Sequence, residues 1–151
     1  MIKWFLALFK SFKTVEELAD WCKDNPILLG FWLSNRIRYV SDEKPEDEFR
    51  QPQLTLNTLE GDCDDVSVLA YAVLEKWGIK PQIIGIYQNM FAHSICMFEW
   101  NNKWCIIDNG GFQSFKVQTI RQCIERVYPN WTTISEHELN GKVKSVTTRS
   151  I

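Results

Sequence analysis

Three residues of this chain combine reactive side chains with well-defined local settings. Cys63 lies in Gly61-Asp62-Cys63-Asp64-Asp65, directly ahead of an apolar run that begins at Val66. A cysteine in the first turn of a helix sits near unpaired backbone amides and the positive end of the helix dipole, and both favour a thiolate. Asp62, Asp64 and Asp65 oppose that effect where their carboxylates point inward, although Asp is also a favoured first-turn residue, so the thiolate requires a cationic partner. His93, one of two histidines, lies in a strand-like run and has the chemistry to be that partner. Its imidazole can take the thiol proton and later return a proton to a leaving group. Asp108 ends the next strand-like run, after Trp104-Cys105-Ile106-Ile107, where its carboxylate can orient the second ring nitrogen. Taken singly, these are an inert thiol, a core histidine and a turn aspartate. Their order at a helix start, on a strand and at the next strand's end gives them a joint reading.

The elements that must position them follow from periodicity. Val66, Leu69, Ala70, Val73, Leu74 and Trp77 trace one apolar face, and Gly78 with Pro81 ends the run, which predicts a central buried helix starting at Cys63. The period then changes: Gln82–Tyr87, Ala92–Trp100 and Lys103–Asp108 read as strands, with Asn101-Asn102 as a tight turn between the last two. That turn folds His93 and Asp108 toward each other across an antiparallel pair. The expected fold is therefore α+β, with the central helix carrying the cysteine packed on an antiparallel β-sheet.

Upstream, Thr14 and Glu17 form a capping-box pattern for a helix from Thr14 to about Lys23, interrupted at Asn25-Pro26. A second helix is expected from Ile27 toward Tyr39, followed by a charged, solvated loop over Ser41–Gln53 that is placed to form one wall of a cleft. Downstream, Phe112–Val117 reads as a strand and Val117–Val127 as a short helix. Thr132, Thr133 and Ser135 suggest a turn cap, and residues 141–151 an edge strand or a loose tail.

The chain of 151 residues is 45% hydrophobic and carries seven Trp and nine Phe, enough to fill one core, so residues 1–151 are expected to form a single domain with 1–13 as an N-terminal extension. Lys and Arg total 17 against 19 Asp and Glu, which gives no broad attraction for nucleic acid. The five cysteines, Cys22, Cys63, Cys96, Cys105 and Cys123, are an odd number without a CxxC pair, so a complete disulfide framework is not expected and a reducing cytoplasm suits the chain. The apolar stretch Trp4–Phe9 is too short to span a bilayer, so no transmembrane segment is expected. With Lys3, Lys10 and Lys13 beside it, that stretch reads as a segment packed on its own domain or as a membrane-surface helix.

At these residues the chain resembles the transglutaminase-like cysteine peptidase superfamily, particularly its bacterial and phage-encoded members. The resemblance rests on Pro52, Leu59 and Gly61-Asp62-Cys63-Asp64-Asp65, on Gly78-Ile79 at the helix exit, on His93 and Asp108, and on Ile37-Arg38-Tyr39-Val40-Ser41-Asp42 leading in; it covers about Leu33 to Gly110. The chain has Ser94-Ile95-Cys96 after the histidine, where the family often has an aromatic residue. It has Asn109-Gly110-Gly111 where the family often has proline. The resemblance implies a papain-like/transglutaminase-like fold. It also implies cysteine-dependent acyl transfer or hydrolysis at an amide bond of a protein or peptide, as in a thiol protease or acyltransferase, through Cys63, His93 and Asp108 and a thioester, without a cofactor or metal. The oxyanion would need the Cys63 backbone N–H and a second donor, for which Gln51 and Gln53 are candidates; Trp104 is expected to pack in the core.

Two other readings stand beside it. A noncatalytic binding or assembly protein, including one of phage origin, can retain such a fold. A divalent-ion site at Asp62, Cys63, Asp64, Asp65 and His93 lacks the clearer Cys/His set of a zinc site. His137, in Ser135-Glu136-His137-Glu138-Leu139, has no second histidine for a zinc motif and is expected to be exposed or a local cap.

Overall fold

The computed structural model describes residues 2–41 and 49–149. Most of the expected charged loop, residues 42–48, lies outside the described residues, as do the first residue and the last two.

Three helices come first: α1 (Ile2–Ala7), α2 (Val15–Cys22) and α3 (Pro26–Arg36). Thr14 caps α2 by accepting from Glu17 N, and Glu17 Oε2 accepts in turn from Lys13 N at 2.8 Å. Asn25 caps α3, whose first residue is Pro26, a position where proline has no amide to lose. α3 is shorter than the apolar run suggests. Ile37 leaves helical torsions with ψ of 118°, and Arg38–Tyr39 become a short strand, β1. Two further elements were not expected. α4 (Pro52–Thr58) begins inside the expected loop, and β2 (Glu60–Gly61) pairs in parallel with β1, with Tyr39 opposite Gly61.

The central helix α5 runs Cys63–Lys76 and is followed by a four-stranded meander, β3 (Gln82–Gln88), β4 (Phe91–Trp100), β5 (Lys103–Asp108) and β6 (Gly111–Phe115). Asn101 and Asn102, at φ 51° and 58°, form the two-residue loop between β4 and β5. Asn109 and Gly110, at φ 42° and 82°, do the same between β5 and β6; two successive positive φ values match the twist of a hairpin. α6 (Ile120–Val127) then leads to β7 (Thr133–His137) and β8 (Val143–Thr148). The sheet order is β6-β5-β4-β3-β7-β8, antiparallel throughout. β8 lies at the edge of the sheet, within the segment that the sequence left open between an edge strand and a loose tail. β7 replaces the expected turn cap and lies inside the sheet, against β3.

The sheet separates two apolar clusters. Cys96, Phe98, Cys105 and Ile107 face the layer containing α2, α3 and α5, where Leu18, Trp32, Leu69 and Val73 are fully buried. Ile95, Met97 and Ile106, from the alternate positions, pack with Cys123, Ile124 and Trp131 of the α6 region. Trp104 joins this second cluster, as its core reading expects. The α+β architecture is thus helices packed on an antiparallel sheet, with α5 as the buried helix. None of the helices is long and apolar enough to cross a membrane among the described residues.

Candidate active site

The Gly61-Asp62-Cys63-Asp64-Asp65 segment is a helix-starting device. Asp62 is the N-cap of α5: its Oδ1 accepts from Asp64 N at 3.0 Å and from Asp65 N at 3.3 Å. Asp65 closes the box by accepting from Asp62 N at 3.3 Å. Asp65 is 1% exposed, and its carboxyl is raised above the usual carboxylate range, chiefly by burial. Arg50 works against that shift through its backbone N–H, 3.1 Å from Oδ1, and through its guanidinium, 3.4 Å from Oδ2. A side chain at Gly61 would put its Cβ 2.6 Å from the Asp65 Cβ, so the close return of Asp65 excludes any larger residue there.

This capping leaves one first-turn amide over. Asp64 and Asp65 donate to Asp62, and Val66 N donates to the Asp62 carbonyl at 3.1 Å. The Cys63 amide, at the first helical position, has no hydrogen-bond acceptor among the described residues. It stands at the head of α5, where the helix dipole is positive.

His93 and Asp108 meet as the hairpin pairing implies. His93 Nε2 is hydrogen-bonded to Asp108 Oδ1, and the two side chains are 8% and 17% exposed. Cys63 lines the same cleft as His93. Burial is the largest single influence on His93 and disfavours its charged form. The hydrogen bonds to Asp108 and Cys63, with their negative charges, outweigh it and push the pKa up to about 9. The structure therefore joins His93 to Asp108 and sets Cys63 in the cleft that His93 also lines.

Two neighbours escaped the sequence reading. Tyr128, just beyond α6, donates its hydroxyl to Asp108 Oδ2. Its own pKa is raised by burial, then by the Asp108 hydrogen bond and charge, so it remains a phenol and a donor. Tyr39 lines the same cleft as Cys63 and His93, a space of about 380 Å³. Partial desolvation, then the negative charges of Cys63, Asp62 and Asp64, hold its phenol above the usual range. β1 fixes Tyr39 there through Arg38 N to Leu59 O at 2.8 Å and Val40 N to Gly61 O at 3.1 Å. The only sequence signal for either residue was the placement of Tyr39 in the segment leading into the nucleophile.

Several expectations are corrected. Gln53 does not face the cleft: its side-chain amide donates to Lys13 O and Asn57 Oδ1, each at 2.7 Å. Gln51 is the exposed N-cap position of α4 and does not line the cleft either. His137 is half-buried and lines the cleft. It is held at Nδ1 by the Gly141 carbonyl at 3.1 Å and at Nε2 by the Ser135 hydroxyl at 2.5 Å, so both ring nitrogens are occupied. Ser41 and Phe49, the described ends of the charged loop, also line the cleft.

Asp62, Cys63 and Asp64 place potential ligand atoms within 4.8 Å of one another. Asp62 Oδ1 accepts two amide hydrogens, so the position of this carboxylate is accounted for by its role as a cap. The other four cysteines are buried and, like Cys63, free. Burial pushes Cys22 and Cys123 to about 12 and Cys105 to about 11, and raises Cys96 as well.

No protein-family model and no curated protein sequence matches the chain. Solved structures do. LapG of Legionella pneumophila in its calcium-bound form superposes with a TM-score of 0.62 at 15% identity, over 90% of this chain and 82% of that one. A candidate cysteine protease from Cytophaga hutchinsonii gives a TM-score of 0.51 at 13% identity, over 96% of this chain but 54% of that one, so this chain spans about half its length. At such identities the likeness is one of fold: Cys63 stands beside the carboxylates of Asp62 and Asp64 in a papain-like/transglutaminase-like α+β fold shared with these proteins.

Proposed function

We propose that the chain is a cysteine-dependent enzyme acting at an amide bond of a protein or peptide, by hydrolysis or acyl transfer, with Cys63 as nucleophile, His93 as proton carrier and Asp108 as the group that orients His93. The observation that carries this reading is the hydrogen bond of His93 to Asp108 at the wall of a cleft that Cys63 also lines. An imidazole set beside a cysteine and oriented by a carboxylate can take the thiol proton and return a proton to a leaving group.

In the proposed reaction the Cys63 sulfur bonds to the substrate carbonyl carbon, and the carbonyl electron pair moves onto oxygen. His93 gives its proton to the departing amine nitrogen as the C–N bond breaks, leaving a thioester. Water or a second amine then attacks the thioester, His93 takes its proton, and the C–S bond breaks to release acid or new amide. The Cys63 amide, which has no acceptor among the described residues, and the Tyr39 hydroxyl are the donors we assign to the oxyanion. Tyr39 takes the place of Gln51 and Gln53 because it lines the cleft and they do not.

The test is peptide-resolved alkylation of all five cysteines across pH, with intact protein and His93→Ala. The reading expects selective labelling of Cys63 at neutral pH that slows by about tenfold or more without His93. Slow labelling of Cys63 that is indifferent to His93 would overturn it and leave a noncatalytic binding or assembly role as the better account of the fold.

A further inference from the structure

The segment before α2 carries a surface that the domain's own packing does not use. It is firmly seated. Ala7 is fully buried, Phe12 is 8% exposed between the rings of Trp21 and Trp32, and the Trp4 ring meets Phe31 edge-on at 5.2 Å. Its backbone is held as well, by Trp32 Nε1 to Lys10 O at 3.0 Å and Arg36 to Leu8 O at 3.2 Å. Packing onto the domain is thus complete, yet Phe5 and Phe9 are each 66% exposed and Leu6 is 42% exposed. Phe5 and Phe9 lie one helical turn apart, with ring centroids 5.5 Å from each other, so they form one outward ridge.

Charge separates this ridge from an ordinary protein-facing patch. The first thirteen residues contain Lys3, Lys10 and Lys13, all exposed, and no Asp or Glu, although acidic residues outnumber basic ones in the chain. Lys3 Nζ donates to Trp21 O and Lys10 Nζ lies over the Phe12 ring, yet all three lysines remain exposed. Outward aromatic side chains in a segment with exposed lysines and no carboxylate match the two requirements of an anionic bilayer surface: apolar groups that enter the acyl boundary and cations that meet the headgroups. A protein partner of ordinary interface composition would not need the lysines, since lysine is depleted at such interfaces.

We infer that residues 3–13 form a docking surface for an anionic lipid bilayer, with Phe5 and Phe9 inserted at the interface and Lys3, Lys10 and Lys13 paired with headgroup phosphates. This inference is independent of the chemistry assigned to Cys63. Its occupant is the lipid surface; a second copy of the chain or an apolar protein segment is the competing outcome.

The experiment is co-sedimentation of the full chain with phosphatidylcholine vesicles and with vesicles containing phosphatidylglycerol, at low and at physiological salt. Beside it run Phe5→Ser/Phe9→Ser and, separately, Lys10→Glu/Lys13→Glu, with circular dichroism confirming that each is folded. All four side chains are exposed, so both variants are expected to fold. Docking predicts binding to the anionic vesicles that weakens with salt and falls about tenfold or more in each variant. Absence of vesicle binding, equal binding to neutral vesicles, or binding unchanged in the phenylalanine variant would overturn the inference. So would a concentration-dependent dimer in sedimentation velocity that the phenylalanine variant abolishes while vesicles bind nothing.

Discussion

Tyr128 donates its hydroxyl to the oxygen of Asp108 that His93 does not use, so a residue from beyond α6 locks a carboxylate at the end of β5. The Asp108 carboxylate cannot rotate without giving up one partner, and its hold on the His93 ring is thereby fixed. Tyr128 packs with the Ile124 and Trp131 cluster, and the Cys63 helix lies on the other side of the sheet. Tyr128→Phe keeps the ring and removes the donor. It is expected to cost about 1.5–3 kcal/mol of stability, the usual range for a hydrogen bond to a charged group. Cys63 alkylation should slow as His93 loses its fixed orientation. Urea midpoints together with labelling rates check this; loss of stability with an unchanged rate would confine Tyr128 to a structural part.

The charged state of His93 is coupled to folding. Its pKa rises from 6.5 to about 9 in the folded chain because the contacts to Asp108 and Cys63 overcome burial. A histidine raised in this way binds its proton more tightly when folded, so its stabilising contribution is complete below the unfolded pKa and disappears as pH climbs through the folded one. Between about pH 6.5 and 9 the wild-type chain should therefore lose stability, by an amount on the order of 3 kcal/mol for a shift of this size. Denaturation midpoints across that window should fall for wild type and stay nearly level for His93→Ala. Parallel slopes for the two proteins would mean that His93 is not the group responsible.

The parts of the site that were legible in sequence are those set by local signals. The acidic first turn around Cys63, Gly78 after α5 and the Asn101-Asn102 turn each mark their own neighbourhood, whereas the capping role of Asp62 emerges only in the structure. What escaped is non-local. β1 and β2 are two residues each and exist only as partners of one another, and α4 begins within a polar stretch whose proline reads equally well as a loop. β7, with the sequence Thr-Ile-Ser-Glu-His, has one fully apolar residue and is a strand because β3 and β8 flank it. Tyr39 and Tyr128 come from segments whose proximity to the cysteine depends on those elements. Sequence spacing therefore revealed the triad-like order but neither of its phenols.

Tyr39 and the Cys63 amide have a role that can be separated from thiol reactivity. Alkylation by iodoacetamide creates no oxyanion, whereas acylation by an activated ester does. Tyr39→Phe should leave the alkylation rate of Cys63 unchanged and slow ester acylation by about a hundredfold, the lower range for loss of one oxyanion donor. Equal slowing of both reactions would assign Tyr39 to the state of the thiol, and no slowing of either would remove it from the reaction.

Gly110 links the fold to the position of Asp108. It follows Asp108 in the β5–β6 turn at φ 82°, and a Cβ there would lie 2.2 Å from the Ser34 backbone nitrogen and 2.5 Å from the Ser34 Cα. Alanine at this position suffers both the left-handed backbone penalty and a collision with the end of α3 that no side-chain rotation relieves. Gly78 offers the control, because its φ of 75° is nearly the same and nothing lies within 4 Å of its Cβ direction. Gly78→Ala should cost about 1 kcal/mol from backbone strain alone. Gly110→Ala should cost about 3 kcal/mol or more, because a main chain must move to make room. That movement draws the turn and Asp108 away from His93, so Cys63 labelling should slow in Gly110→Ala and remain at the wild-type rate in Gly78→Ala. Equal destabilisation in the two variants would show that the approach of Gly110 to Ser34 contributes nothing beyond its torsion angle, and would disconnect α3 from the geometry of the site.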